Sequence, residues 1–189
     1  MRTLLIIHAN SWSDKTCSAK PGIEQLIRSG DHDTIIEVAR KYPEACDGRY
    51  LVHCGTVLEH QGISPVSFFE SDLFGENALF PVADEVTITG GVLNATGGGC
   101  LNYAFDCLIA FQRRLGRACI VDIPMSAVYG KGGEGWDELS VGLVAKDIAW
   151  KMLVAGIPFV LTVKPGATVS SGGTEPLLSV TVDSLATIR

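Results

Sequence analysis

The chain of 189 residues contains no apolar run that could span a membrane: stretches such as Leu4 to Ile7 and Phe159 to Val163 are strand-sized, far short of the ~20 residues a membrane helix needs. Positive charge is also scarce. Fifteen Lys and Arg stand against 21 Asp and Glu, for a net charge of -6, and the largest basic cluster is the pair Arg113-Arg114. That balance excludes a generic nucleic-acid binder. Six cysteines, at 17, 46, 54, 100, 107 and 119, include no CxxC; in a chain long enough to bury its own core they read as free thiols of a cytoplasmic protein rather than as a disulfide framework. There is no internal repeat, low-complexity tract or interdomain linker, so residues 1–189 read as one domain. The opening Met1-Arg2-Thr3 and the short run after it lack the length and cleavage pattern of a signal peptide and read as the first strand.

Glycine is what the chain has in quantity, and it is concentrated where the pattern changes. From Thr87 to Phe111 the sequence reads TITGGVLNATGGGCLNYAFDCLIAF. The apolar run around Val86 and Ile88 predicts a buried strand, and Gly90, Gly91, Gly97, Gly98 and Gly99 a loop. A helix then begins near Cys100, with Leu101, Ala104, Phe105 and Leu108 spaced to face a sheet. A helix N-terminus leaves backbone N–H groups unpaired and carries partial positive charge, which favours a thiolate there. The glycines let the backbone approach a ligand closely, and neighbouring N–H groups can form an oxyanion hole. Cys100 is thus the candidate nucleophile, and Gly97, Gly98 and Gly99 are candidate ligand-binding residues. An inert core cysteine is the other reading.

Along the rest of the chain, residues 3–9 predict a central strand and Ile23 to Ile27 a short helix. Asp31 or Asp33 is placed to cap a second helix carrying Ile35, Val38, Ala39 and Tyr42, which Pro43 stops. Tyr50 to Val52 predict a strand ending at His53. Leu58 to Pro81 hold Phe68, Phe69, Phe74 and Phe80, a stretch better suited to core or subunit interface than to a substrate pocket. Gly116 closes the Cys100 helix. Ala118 to Val121 form the next strand, finishing at Asp122-Ile123-Pro124. Tyr129 and Trp136 flank the loop YGKGGEGW. The helix after it has two apolar sides: Val141, Val144, Ala145, Ile148 and Met152 on one, and Leu139, Leu143, Trp150, Leu153 and Val154 on the other, which suggests a homo-oligomer interface. Pro158 to Val163 predict a strand, residues beyond Pro165 a loop, and Leu177 to Val182 an edge strand.

Strands alternating with helices predict a three-layer α/β/α domain on a mainly parallel sheet of about six strands, with its site beyond the strands' carboxyl ends. His8, His53, the glycine loop with Cys100, and Asp122 all follow predicted strands, so one crevice can gather them. His53 and Asp122 are then candidate ligand-binding residues, and His8, with an ordinary imidazole pKa near 6.5, a candidate base.

Three stretches carry a resemblance to the isochorismatase-like cysteine hydrolases, the superfamily that includes nicotinamidases: LLIIHANSW, VSFFESDLF, and VTITGGVLNATGGGCLNYAFDCLIAF followed by RACIVDIPMSAVYG. The likeness covers residues 3–163 and implies a Rossmann-like fold in which Cys100 is the catalytic cysteine. His8 stands where that family has its catalytic aspartate, and no lysine lies between Lys41 and Lys131, where the family's catalytic lysine is expected. The resemblance therefore implies a cysteine-nucleophile hydrolase acting on a small amide or related molecule. An inactive scaffold that binds a small ligand or a protein partner is the alternative.

Nicotinamidase-like members place a metal beside the pocket, and His8, His53 and His60 could join Asp122 or Glu59 here. Compact ligand spacing is absent, so neither metal nor cofactor is expected. Neither glycine-rich segment matches GxxxxGK[ST] or GxGxxG, though an anion at the Cys100 helix start is physically reasonable.

Overall fold

The computed structural model describes residues 1–7, 19–39, 66–69, 84–94, 98–130, 136–172 and 175–183. Among these residues nine strands form one sheet. In chain order the elements are β1 (Arg2–Ile7), α1 (Lys20–Ser29), β2 (Thr34–Ala39), β3 (Val66–Phe69), β4 (Glu85–Val92), α2 (Cys100–Leu115), β5 (Cys119–Pro124), a 3-10 turn (Met125–Ala127), β6 (Val128–Tyr129), α3 (Glu138–Val154), β7 (Phe159–Lys164), β8 (Thr168–Ser170) and β9 (Leu178–Asp183). The order across the sheet is β3-β2-β1-β4-β5-β9-β7-β8, with β6 paired to the end of β4. Among the described residues every pairing is parallel except β7 with β8.

The main core lies on one face, where α2 and α3 pack Leu101, Ala104, Phe105, Leu108, Val141, Val144, Ile148 and Met152 over Leu5, Val86, Ile88, Val121, Leu161 and Val180. On the other face α1 sets Ala19, Ile23 and Ile27 on Leu4, Ile6 and Ile35. The sequence accounts for these elements directly. The apolar stripe of α2 recurs at helical spacing, and Gly116 closes it in the left-handed conformation, its N–H bonded to the Gln112 carbonyl. Asp137 caps α3 by accepting from the Ser140 N–H at 2.7 Å, which fills one of the donors a helix start leaves open.

Four expectations are corrected. Residues 34–39 form the strand β2, not a helix: Thr34, Ile35, Ile36 and Val38 are β-branched and suit a pleated surface, and Asp33 accepts the Arg2 N–H at 2.8 Å instead of capping. The 177–182 segment is not an edge, since β9 lies between β5 and β7, paired to both. The region after Pro165 is not all loop, because it returns as β8 against β7. Asp122 is not beyond the end of its strand but inside β5. The strand at Tyr50 to Val52 lies outside the described residues. The sheet also exceeds the predicted strand number, through β2, β3 and the short β6 and β8.

The second apolar side of α3 is present and open to solvent: Leu139 is 73% exposed and Trp150 64%, with Leu143, Leu153 and Val154 beside them. Among the described residues no helix is long and apolar enough to cross a membrane.

The third layer is incomplete among the described residues, and the register shows where it stops. One row of side chains on the α1 face runs Ile35, Leu4, Thr87, Asp122, Thr181, Thr162 across β2, β1, β4, β5, β9 and β7. It is apolar under α1 and polar from β4 onward.

Candidate functional site

Cys100 is the first residue of α2, and Gly99 before it has extended backbone geometry. Two glycines allow this junction. A Cβ on Gly99 would overlap the Val92 carbonyl, so the helix start is pressed directly onto the end of β4. Gly91 has φ +56°, and a Cβ there would lie 3.0 Å from Ile7 Cγ2 and 3.2 Å from the Leu101 nitrogen. The end of β1, the end of β4 and the start of α2 therefore meet at one point, with Ile7 paired to Gly90.

Asn102 holds the loop that brings them together. Its Oδ1 accepts the N–H of Asn94 at 2.9 Å and of Gly99 at 3.2 Å. Its Nδ2 donates to the Asn94 carbonyl at 3.1 Å and to Asp147 Oδ2 on α3 at 3.2 Å. At 2% exposure its amide has no water to fall back on, so these bonds fix Asn94 and Gly99 against the helix start. Burial raises the Asp147 carboxyl above its ordinary range, opposed by Lys151 and by the Asn102 bond. A second tie between the helices is Lys151 Nζ, which donates to both oxygens of Asp106 at 2.6 and 2.7 Å.

The N-cap Gly99 has no side chain to offer α2, and Asn102 accepts only the Gly99 N–H; the first turn holds no acidic residue, so the N–H groups that follow Gly99 give Cys100 a positive field. Cys100 is partly exposed and packs against the main core. Of the other two described cysteines, Cys107 is raised by burial and by Asp106, and burial pushes Cys119 up to about 11. Both behave as packing residues, as their place in the sequence suggests.

Of the other predicted site residues, Gly98 and Gly99 lie at this junction, with Gly98 exposed at φ +83°. Gly97, His8 and His53 lie outside the described residues, as does His60. Asp122 is not brought to Cys100. Its partner in register is Thr87, five residues before the end of β4, and its side chain is on the sheet face away from α2. The strict alternation in CIVDIP puts Asp122 on the face opposite Val121 and Ile123. Trp136 Nε1 donates to the Val128 carbonyl at 2.9 Å and its ring packs on the core.

Reasoning from the sequence missed Asn102 and His32. A buried Asn in a helix's first turn after a glycine loop is a recognisable signal, since Asn in that position bonds nearby backbone. His32 was hidden by reading its segment as a helix cap. Its Nε2 lies 3.0 Å from Thr87 Oγ1, and burial lowers its pKa, opposed first by Asp31.

Among the described residues no three His, Cys, Asp or Glu side chains converge as a metal site requires. The chain matches no protein-family model, and comparison with curated proteins finds no significant match.

Proposed function

We propose that this chain is a cysteine-nucleophile hydrolase of small amides, built on an isochorismatase-like sheet, with its reaction centre at the start of α2. The observation that carries the reading is the position of Cys100: first residue of a helix whose N-cap is a glycine, directly beyond the carboxyl end of a central parallel strand, and partly exposed. The succession of strand, glycine loop, cysteine, helix and strand that carries the family resemblance runs as β4, α2 and β5.

In this mechanism the Cys100 sulfur attacks the amide carbonyl carbon, and the carbonyl π electrons move to oxygen. The N–H groups of the first turn of α2 stabilise that oxyanion. As the C–N bond breaks, the amine leaves with a proton and a thioester remains; water then adds to the thioester carbon and expels the thiolate. His8, which follows β1 directly in the sequence, is the base that moves these protons. Asn102 is a positioning residue: it holds the loop so that Cys100 begins the helix.

The test is release of ammonia from a panel of small primary amides, compared with Cys100→Ala. Loss of at least about 100-fold in the variant, with its fold intact, supports the reading. Activity that survives the substitution overturns it. A wild-type protein that turns over none of the panel, and whose Cys100 is no more reactive than Cys107, favours the inactive-scaffold alternative, a reading supported by the absence of a lysine between Lys41 and Lys131.

A further inference from the structure

α3 is apolar on two opposite sides, and only one of them meets the sheet. The other carries Leu139, Leu143, Lys146, Trp150 and Leu153, spaced 4, 3, 4 and 3 residues apart. That is the spacing of a coiled-coil seam, and every member is exposed. With Val154, the apolar members leave on the order of 600 Å² open on each chain, the upper end of what a monomer exposes in one patch. The row bears a single cation, so it lacks the basic polar face with which a helix lies on a membrane surface.

Within this row lies a hole. Leu139, Gly142, Leu143 and Lys146 stand at i, i+3, i+4 and i+7, the four corners that receive one knob from a facing helix. An open hollow is lined there by Leu139, Gly142 and Leu143, with Asp137 and Glu138 at its end. Gly142 is what deepens it. A Cβ at that position would meet no atom within 4 Å, so no contact inside the chain requires a residue that weakens a helix. The knobs are on the same helix, since Trp150 is 64% exposed and Leu153 58%. A surface that holds both hole and knobs can be complementary to itself across a twofold axis, as an isologous interface demands.

We propose that α3 pairs antiparallel with α3 of a second copy of this chain, about a twofold axis level with Ile148. That register sets Leu143 opposite Leu153 of the second copy and seats the same Leu153 in the hole at Gly142. It also sets Lys146 opposite the second copy's Trp150, once on each side of the axis, where the ammonium can lie over the indole face as a cation–π pair. A register centred on Lys146 would bring two like charges together instead. Covering both open patches removes on the order of 1,200 Å² from water, within the range of specific interfaces. The pairing uses the side of α3 away from the sheet and does not depend on the chemistry proposed for Cys100.

The experiment is sedimentation velocity on the full chain, with flotation on phosphatidylcholine vesicles in parallel. A dimer is expected at about 100 μM. Gly142→Gln fills the hole without meeting the chain's own atoms, so it should fold as wild type does and weaken the dimer at least about tenfold. Leu153→Asp removes the knob, with the same expected effect, and Cys100→Ala should leave the dimer unchanged. The register is read from the double variant Leu143→Cys/Leu153→Cys. These positions are about 15 Å apart along one helix, too far for a bridge within a chain. Oxidation should therefore give a covalent dimer joining position 143 of one copy to 153 of the other, located by peptide mapping. A monomer at that concentration, a monomer that floats with the vesicles, a dimer indifferent to both Gly142→Gln and Leu153→Asp, or a double variant that forms no 143–153 bridge would overturn the proposal.

Discussion

Asn102 and Asn94 bind each other reciprocally: the Asn102 side chain accepts the Asn94 N–H at 2.9 Å and donates to the Asn94 carbonyl at 3.1 Å. A side-chain amide thus takes the place of the strand partner that the chain loses on leaving β4. It does so from the first turn of the helix that carries Cys100.

Asn102→Ala leaves two loop N–H groups, one loop carbonyl and the Asp147 carboxylate without this partner. We expect a loss of about 2–3 kcal/mol in urea unfolding. The same variant should slow the reaction of Cys100 with alkylating reagents, because the loop no longer delivers it to the helix start. Unchanged stability would show that water replaces these bonds.

Gly99→Ala places a methyl group on the Val92 carbonyl, at a backbone contact that cannot move without separating α2 from β4. A cost of about 1–3 kcal/mol follows from overpacking, measured by thermal or urea unfolding. Gly98→Ala meets no neighbouring atom but carries the strain of a positive φ, so it should cost less, about 1 kcal/mol.

Among the three described cysteines, alkylation at about pH 8 should follow exposure and thiolate availability. Cys100 is expected to react first, Cys107 more slowly and Cys119, whose thiol is pushed up to about 11, last. Peptide mapping after timed iodoacetamide quenching gives the order directly; prior labelling of Cys119 would mean that β5 opens more readily than a central strand should.

His32 and Asp122, both on the α1 face of the sheet, give opposite pH signs. His32 has its folded pKa lowered by burial, so the unfolded chain binds more protons below 6.5, and stability falls as pH drops through that value. Asp122 has its folded pKa raised, so its burial penalty appears as pH rises from 3.8 and is complete once the folded carboxyl has ionised. Asp122→Asn should therefore be neutral or stabilising at pH 7, and His32→Gln should flatten the acid side of the stability curve near pH 6. Urea midpoints across this range, for wild type and both variants, check the signs.

Much of the fold is legible in the sequence because its cues are periodic. The stripe of α2, the alternation in β5, β7 and β9, and Gly116 at a helix end each follow from spacing. The row at Ile35, Val38 and Ala39 misleads because apolar residues three and four apart also fit a helix, and β-branching is the better guide there. The strand order of β9 between β5 and β7 has no local signature; it depends on pairing between distant segments. The Cys100 junction is legible from its glycines. The pocket lined by His32, Thr87 and Asp122 on the α1 face is not, since Asp122 and His32 are 90 residues apart in sequence and come together only through the register of β4 with β5.

The central claim is tested most directly by intact-mass and peptide mass spectrometry of the protein quenched in acid during turnover of a small amide. The account predicts an acyl adduct on Cys100 that forms, decays with hydrolysis and is absent in Cys100→Ala. Amide turnover with no adduct on Cys100, or with an adduct on another residue, would contradict it.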